Sequence, residues 1–174
     1  MKTQQQIISP QDIVILLKII ALGNNKWLQN TLAESLHISQ SEVSKSLMRS
    51  KYAGFLDSSG KKVSKLALME FLQFGIKYVF PQQPGALVRG IATAHSASPL
   101  NNIIKSEEQY VWPSGKGTLR GQSIFPLYPS VVDAVKQDDN LYELLALVDA
   151  IRVGRAREKE LAIQELKIRI LDGE

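Results

Sequence analysis

A chain of 174 residues, 44% of them hydrophobic, can bury a proper core, as one domain or as two small ones. It has no cysteine, which excludes disulfides and thiolate metal sites and fits a protein made in reducing cytoplasm, and no apolar run long enough to span a bilayer. The net charge of +4 is unevenly placed: residues 1–80 hold ten Lys and Arg against five Asp and Glu, and residues 81–174 hold eleven against twelve.

The polar start Lys2-Thr3-Gln4-Gln5-Gln6 lacks the apolar core of a signal peptide. Ser9-Pro10-Gln11-Asp12 then predicts a helix start, with Ser as cap, Pro in the first turn where its missing N–H costs nothing, and Asp against the helix dipole. Ile13, Val14, Ile15, Leu16, Leu17, Ile19 and Ile20 make this helix apolar nearly all round. It therefore requires cover from its own domain on one side, and from a partner subunit or the second half of the chain on another. Gly23-Asn24-Asn25 ends it, and Trp27 reads as a packing anchor.

From Gln29 to Phe55 the spacing predicts two short helices on one buried seam. Leu32, Ala33 and Leu36 give the first an apolar face, and Val43 and Leu47 do the same for the second. His37-Ile38-Ser39 forms the turn between them. Ser39 caps the second helix, and Glu42, three residues on, completes a capping box. Beyond it, Gly54-Phe55-Leu56-Asp57 and Lys61-Lys62-Val63 flank Ser58-Ser59-Gly60 as a very short hairpin.

Leu32, Ala33, Leu36, Ser39, Val43, Ser44, Leu47, Gly54 and Leu56 match the pattern LAxxLxxSxxxVSxxLxxLxxxGxL, and on these residues the stretch resembles the helix-turn-helix of bacterial transcription regulators. With the hairpin as a minimal wing, residues 9–78 look most similar to the MarR-like group. His37 stands where that family usually has a Gly in a left-handed turn, a conformation a His adopts only at some cost. Ser50 occupies a usually apolar position, and Leu28 one where a Ser or Thr cap is common.

After Ser64, the sequence KLALMEFLQFGIKYVF places Leu66, Met69, Leu72 or Phe71, and Ile76 on a helical stripe stopped by Pro81. Its aromatics Phe71, Phe74, Tyr78 and Phe80 read as core packing rather than as a ligand pocket. Residues 81–129 are punctuated by Pro and Gly without a long period, yet carry too many apolar side chains for a flexible linker. Within them 109–112 and 117–121, joined by Pro113-Ser114-Gly115-Lys116, look like a hairpin. Ser130 caps a helix through Lys136. A further helix starts near Asp139-Asn140, with Leu141, Leu144, Leu145, Val148 and Ile151 as its amphipathic face, and the stripe continues through Leu161 and Leu166 to Ile170.

The expected fold is mainly α: a winged helix-turn-helix DNA-binding domain in 1–80, then 81–174 with a Pro/Gly-rich irregular middle segment and C-terminal helices. The resemblance implies a cytoplasmic, sequence-specific DNA-binding transcription regulator, with the second helix of the motif in the major groove of double-stranded DNA. Counting from the inward Val43, the residues Gln40, Ser41 and Lys45 are the base-edge candidates. Ser44, Arg49, Lys51, Lys61 and Lys62 are assigned to phosphates. The apolar first helix and the Leu141–Ile151 face suggest a homodimer. The alternative is a protein-interaction module, such as an antitoxin or adaptor subunit, that binds a partner protein through 81–174. Arg89, Lys116 and Arg120, beside the aromatics Tyr110, Trp112 and Tyr128, would form that surface.

An enzyme is not expected. Ser114-Gly115-Lys116-Gly117-Thr118 invites comparison with a phosphate loop, but Tyr110 stands where that loop requires its first Gly, and no helix start follows. His37 and His95 are far apart in sequence, which supports neither a zinc site nor a Ser-His triad. Glu107-Glu108 and Asp138-Asp139 are adjacent rather than spaced to converge. No metal and no cofactor are expected.

Overall fold

Ser9, Pro10 and Asp12 start helix α1 (Pro10–Leu22) in the computed structural model, which describes residues 6–172; Lys2-Thr3-Gln4-Gln5 lie outside the described residues. The Asp12 carboxylate accepts the Ser9 N–H at 2.8 Å, and Gly23 ends the helix at a φ of 62°. Ile13, Val14, Ile15, Leu16 and Leu17 are at most 2% exposed, so α1 is enclosed on all sides. Helices α2 (Gln29–Leu36) and α3 (Gln40–Tyr52) cover one side. The other side is covered from within the same chain, by α7 (Asp139–Val153).

The turn between α2 and α3 is built as its residues predict. His37 adopts φ 55°, ψ 42°, the left-handed conformation. Ser39 Oγ accepts the Glu42 N–H at 3.1 Å while the Glu42 carboxylate accepts the Ser39 N–H at 3.1 Å. Leu32, Ala33, Leu36, Val43 and Leu47 fill the shared seam. At the start of α2, Leu28 has no capping side chain, and Thr31 Oγ1 instead accepts its N–H and donates to its carbonyl.

Ser50 is 1% exposed, and its hydroxyl has no hydrogen-bond partner among the described residues. A buried hydroxyl without a partner destabilises, so Ser50→Ala should hold or raise stability, by up to about 1 kcal/mol. Urea unfolding checks this: a loss of stability would mean that the hydroxyl is bonded in solution.

Leu56 and Val63 form a single antiparallel bridge, closed by Asp57 N–H to the Lys62 carbonyl at 2.9 Å. The long helix expected after Ser64 is divided at Gly75 into α4 (Lys65–Phe74) and α5 (Ile76–Val79). Its buried stripe is Leu68, Met69, Leu72 and Ile76, and Leu66 points outward, 75% exposed. Phe71 makes edge contacts with Phe55 and Phe80, as core packing requires, whereas Phe74 and Tyr78 project from the surface.

The middle segment is more regular than its prolines and glycines suggest. It contains β1 (Leu87–Ala92), β2 (Tyr110–Pro113) and β3 (Leu119–Ser123), closed into a small barrel. β1 runs antiparallel to both others: its first half pairs with β3 (Val88↔Gly121) and its second half with β2 (Ile91↔Trp112). β2 and β3 are mutually parallel, Tyr110 opposite Gln122, so the expected hairpin is corrected to a looped-back connection. Gly90 faces both Pro113 and Leu119. A Cβ on Gly90 would lie 2.1 Å from the Trp112 carbonyl oxygen, and one on Gly117 the same distance from that of Gly90. Without side chains at both positions, the strands curl tightly enough to close.

Helix α6 (Val131–Ala134) is a short turn extended by 3₁₀ geometry to Gln137, and Ser130 makes no side-chain cap bond there. Asp138 caps α7 by accepting the Leu141 N–H at 2.9 Å and pairs with the buried Lys18 of α1 at 2.5 Å. α7 is buried on nearly every face from Leu141 to Ile151. Gly154 separates it from α8 (Ala156–Leu171), which packs back on it through Ala162, Leu166 and Ile170. One continuous hydrophobic core therefore runs from Ile13 to Ile170, and residue 80 marks a change in chain character rather than a gap in packing. The apolar faces of α1 and α7 assigned above to a dimer cover each other, so neither is free for a two-fold interface.

Candidate nucleic-acid interface

Because α3 buries Val43, Ser46, Leu47 and Ser50, its opposite side faces outward. Gln40, Ser41, Lys45, Met48, Lys51 and Tyr52 are exposed there, and Ser44 is half-buried. Ser41, Lys45, Met48 and Tyr52, spaced by four, three and four, form one stripe along the helix. Met48 is 63% exposed and Tyr52 75%. The stripe thus mixes hydrogen-bonding and large apolar groups. Met48 was not legible as a site residue because helical counting ranks positions, and an apolar residue beside the seam reads as core.

The helix is held rigidly at its first turn. Hydrogen bonds from the Ser39 backbone and hydroxyl hold the Glu42 carboxyl below the ordinary glutamate range. Glu42 also accepts from the Tyr128 hydroxyl at 3.3 Å, which fastens the segment before α6 to the start of α3. The only acidic residue of α3 is therefore engaged in capping, and Lys45 and Lys51 dominate the outward face.

Two of the residues assigned to phosphates have other partners. Arg49 turns back over the edge of α3 to Asp12 of α1, with Nε at 2.9 Å and Nη2 at 2.7 Å from the two carboxylate oxygens. Its Nη2 also lies 3.3 Å from Ser9 Oγ. Asp12 is fully buried, and its hydrogen bond raises the Arg49 pKa. Arg49, assigned to phosphates on spacing, is thus engaged with Asp12 and ties α1 to α3. Lys61 Nζ lies 4.1 Å from the centroid of the Trp27 ring and 3.4 Å from the Trp27 carbonyl. Lys62 is exposed on the same short hairpin.

An open groove of about 900 Å³ is lined by Ile19, Ile20, Trp27 and Val63, by Lys61 and Lys62 of that hairpin, and by the paired Arg169 and Glu143. Of the expected partner surface, Arg89, Lys116 and Arg120 are exposed. Tyr110 and Trp112 are 8% and 1% exposed, so they fill the second half of the core instead of lining an interface. No three His, Asp or Glu side chains converge to hold a metal ion among the described residues, and no described helix is long and apolar enough to cross a membrane. No protein-family model matches the chain, and neither a curated protein nor a solved structure matches it.

Proposed function

We propose that this protein is a sequence-specific DNA-binding regulator of transcription, built as a winged helix-turn-helix whose α3 enters the major groove from its N-terminal end. The observation that carries the reading is the exposed stripe of Ser41, Lys45, Met48 and Tyr52, with Gln40 at its entering end, on a capped helix fixed to its neighbours. Gln and Lys can take base edges, and apolar side chains fit against thymine methyls, so such a mixture suits groove reading. Lys51 and Lys62, with Lys61 beside Trp27, flank the stripe with positive charge that would meet phosphates. A partner-binding module is the weaker reading, because the aromatic anchors it would use, Tyr110 and Trp112, are buried.

Selection from random duplexes, followed by gel shifts across salt concentrations, tests the proposal. Lys45→Ala should lose about 1–3 kcal/mol on the selected sequence and relax its preference, while Lys62→Ala should weaken all sequences alike. Equal losses on selected and random duplexes for both variants would defeat the assignment of base reading to α3.

A further inference from the structure

We propose that Arg89, Arg120 and Lys116 form a second phosphate-binding site, on the small barrel, which grips the backbone of the same duplex beyond the base pairs read by α3. This rests on the DNA-binding reading of α3 and adds to it a contact that no helix-turn-helix residue supplies.

Arg89 on β1 and Arg120 on β3 are direct cross-strand partners in an antiparallel pair. Side chains so placed share one face of the sheet, with Cβ atoms about 5 Å apart. Both are exposed, and neither guanidinium has a hydrogen bond or ion pair to another described residue. Like charges directly opposite each other destabilise strand pairing. The pair therefore does nothing for the barrel, whereas two guanidinium forks side by side can hold a phosphate between them.

Lys116 joins them by construction. The Ser114 N–H donates to the Arg89 carbonyl at 3.0 Å, and Gly117 lies flat against the Gly90 backbone, so the loop that carries Lys116 is pinned beside Arg89. The three cations stand on strands and a fixed loop rather than on a free tail. Asp133 lies within the field of Lys116, but it is already paired with Lys136 at 2.6 Å.

The location matches a longer DNA footprint. Helix α6, which follows β3 in the chain, packs against α2 of the helix-turn-helix. The chain leaving β3 reaches Tyr128, which bonds Glu42 in the first turn of α3. A phosphate backbone is favoured over an acidic protein because Tyr110 and Trp112 turn inward and give a protein interface no aromatic anchor.

The test uses the full chain with R89Q/R120Q, and K116Q as a single, on the selected sequence in two duplexes: one trimmed to the α3 site and one extended on both sides. On the extended duplex the double variant should flatten the slope of log affinity against log salt by about 1, for the one phosphate held between the two guanidiniums, and K116Q by up to about 1. On the trimmed duplex the slopes should match wild type, sequence preference should be unchanged, and the melting temperature should hold or rise. Slopes equal to wild type on the extended duplex, with binding retained, would overturn this site and leave the α3 reading standing. Wild type that binds neither duplex would remove both. A melting temperature lowered by several degrees in R89Q/R120Q would make the arginines structural. Loss of polyglutamate binding alone, with DNA binding intact, would assign them to an acidic protein.

Discussion

Replacing Asp149 by Ala should destabilise the protein more than any substitution on its surface, by about 3–5 kcal/mol, out of a total of roughly 5–15 kcal/mol for a domain. Asp149 is 1% exposed on α7 and accepts three hydrogen bonds: from Thr93 Oγ1 and Trp112 Nε1, each at 2.7 Å, and from Arg152 Nη1 at 2.9 Å. Arg152, itself 6% exposed, also donates to the Phe80 carbonyl at 2.9 Å. The carboxylate thus joins α7, β2 and the turn after β1, and Arg152 adds the end of α5. Burial pushes its pKa up, against the opposing pull of Arg152, Thr93 and Trp112. Truncation leaves a buried guanidinium without its counter-charge and two donors without an acceptor. Urea unfolding should show the midpoint falling at an unchanged slope. The double replacement Asp149→Leu with Arg152→Met should recover much of the loss, because removing both charges also removes the desolvation penalty. If Asp149→Ala shifts stability no more than about 0.5 kcal/mol, as surface changes do, the cluster does not hold these elements together.

The second large effect is expected at Arg49. Arg49→Ala should cost about 3 kcal/mol, the lower end for a broken buried pair, since the Arg49 side chain is 23% exposed while that of Asp12 is fully buried. Arg49→Lys should recover only part of this, because an ammonium cannot reproduce the fork that holds both carboxylate oxygens. The result separates two roles. A phosphate ligand would lose DNA affinity at unchanged stability, whereas a staple loses stability, and its DNA binding falls only as α3 loosens. A melting curve identical to wild type, together with a flatter salt dependence of DNA affinity, would make Arg49 a phosphate ligand rather than a staple.

The contrast at Arg49 shows where sequence reading stops. Periodicity puts Arg49 on the outer face of α3, whereas it sits half-buried at the helix edge, from which its long side chain reaches back, and nothing in local spacing reveals Asp12 37 residues away. Features governed by neighbours in sequence were legible: the Ser39–Glu42 box, the left-handed His37, the start of α1 and the start of α7 all stand where the residues predict. The barrel was not. Its glycines read as loop signals, whereas Gly90 and Gly117 serve close approach of backbones that are distant in sequence. Gly75 and Gly154 likewise divide what the apolar stripes present as continuous helices. At the candidate site, Gln40, Ser41 and Lys45 are exposed as counted, while Met48 emerged only when the helix had neighbours.

The position of α7 has a consequence for how the molecule is made. The helix that encloses α1 comes from the last quarter of the chain, and the Lys18–Asp138 pair closes a span of 120 residues. During synthesis α1 must therefore wait, with Ile13, Leu16 and Leu17 uncovered, until residues 139–153 have been added. Long-range closure of this kind slows folding and leaves an apolar helix open to other chains in the meantime. The same geometry means that a fragment ending at residue 80, though it carries all of α3 and its exposed stripe, would lack the cover for its own first helix and would be expected to aggregate.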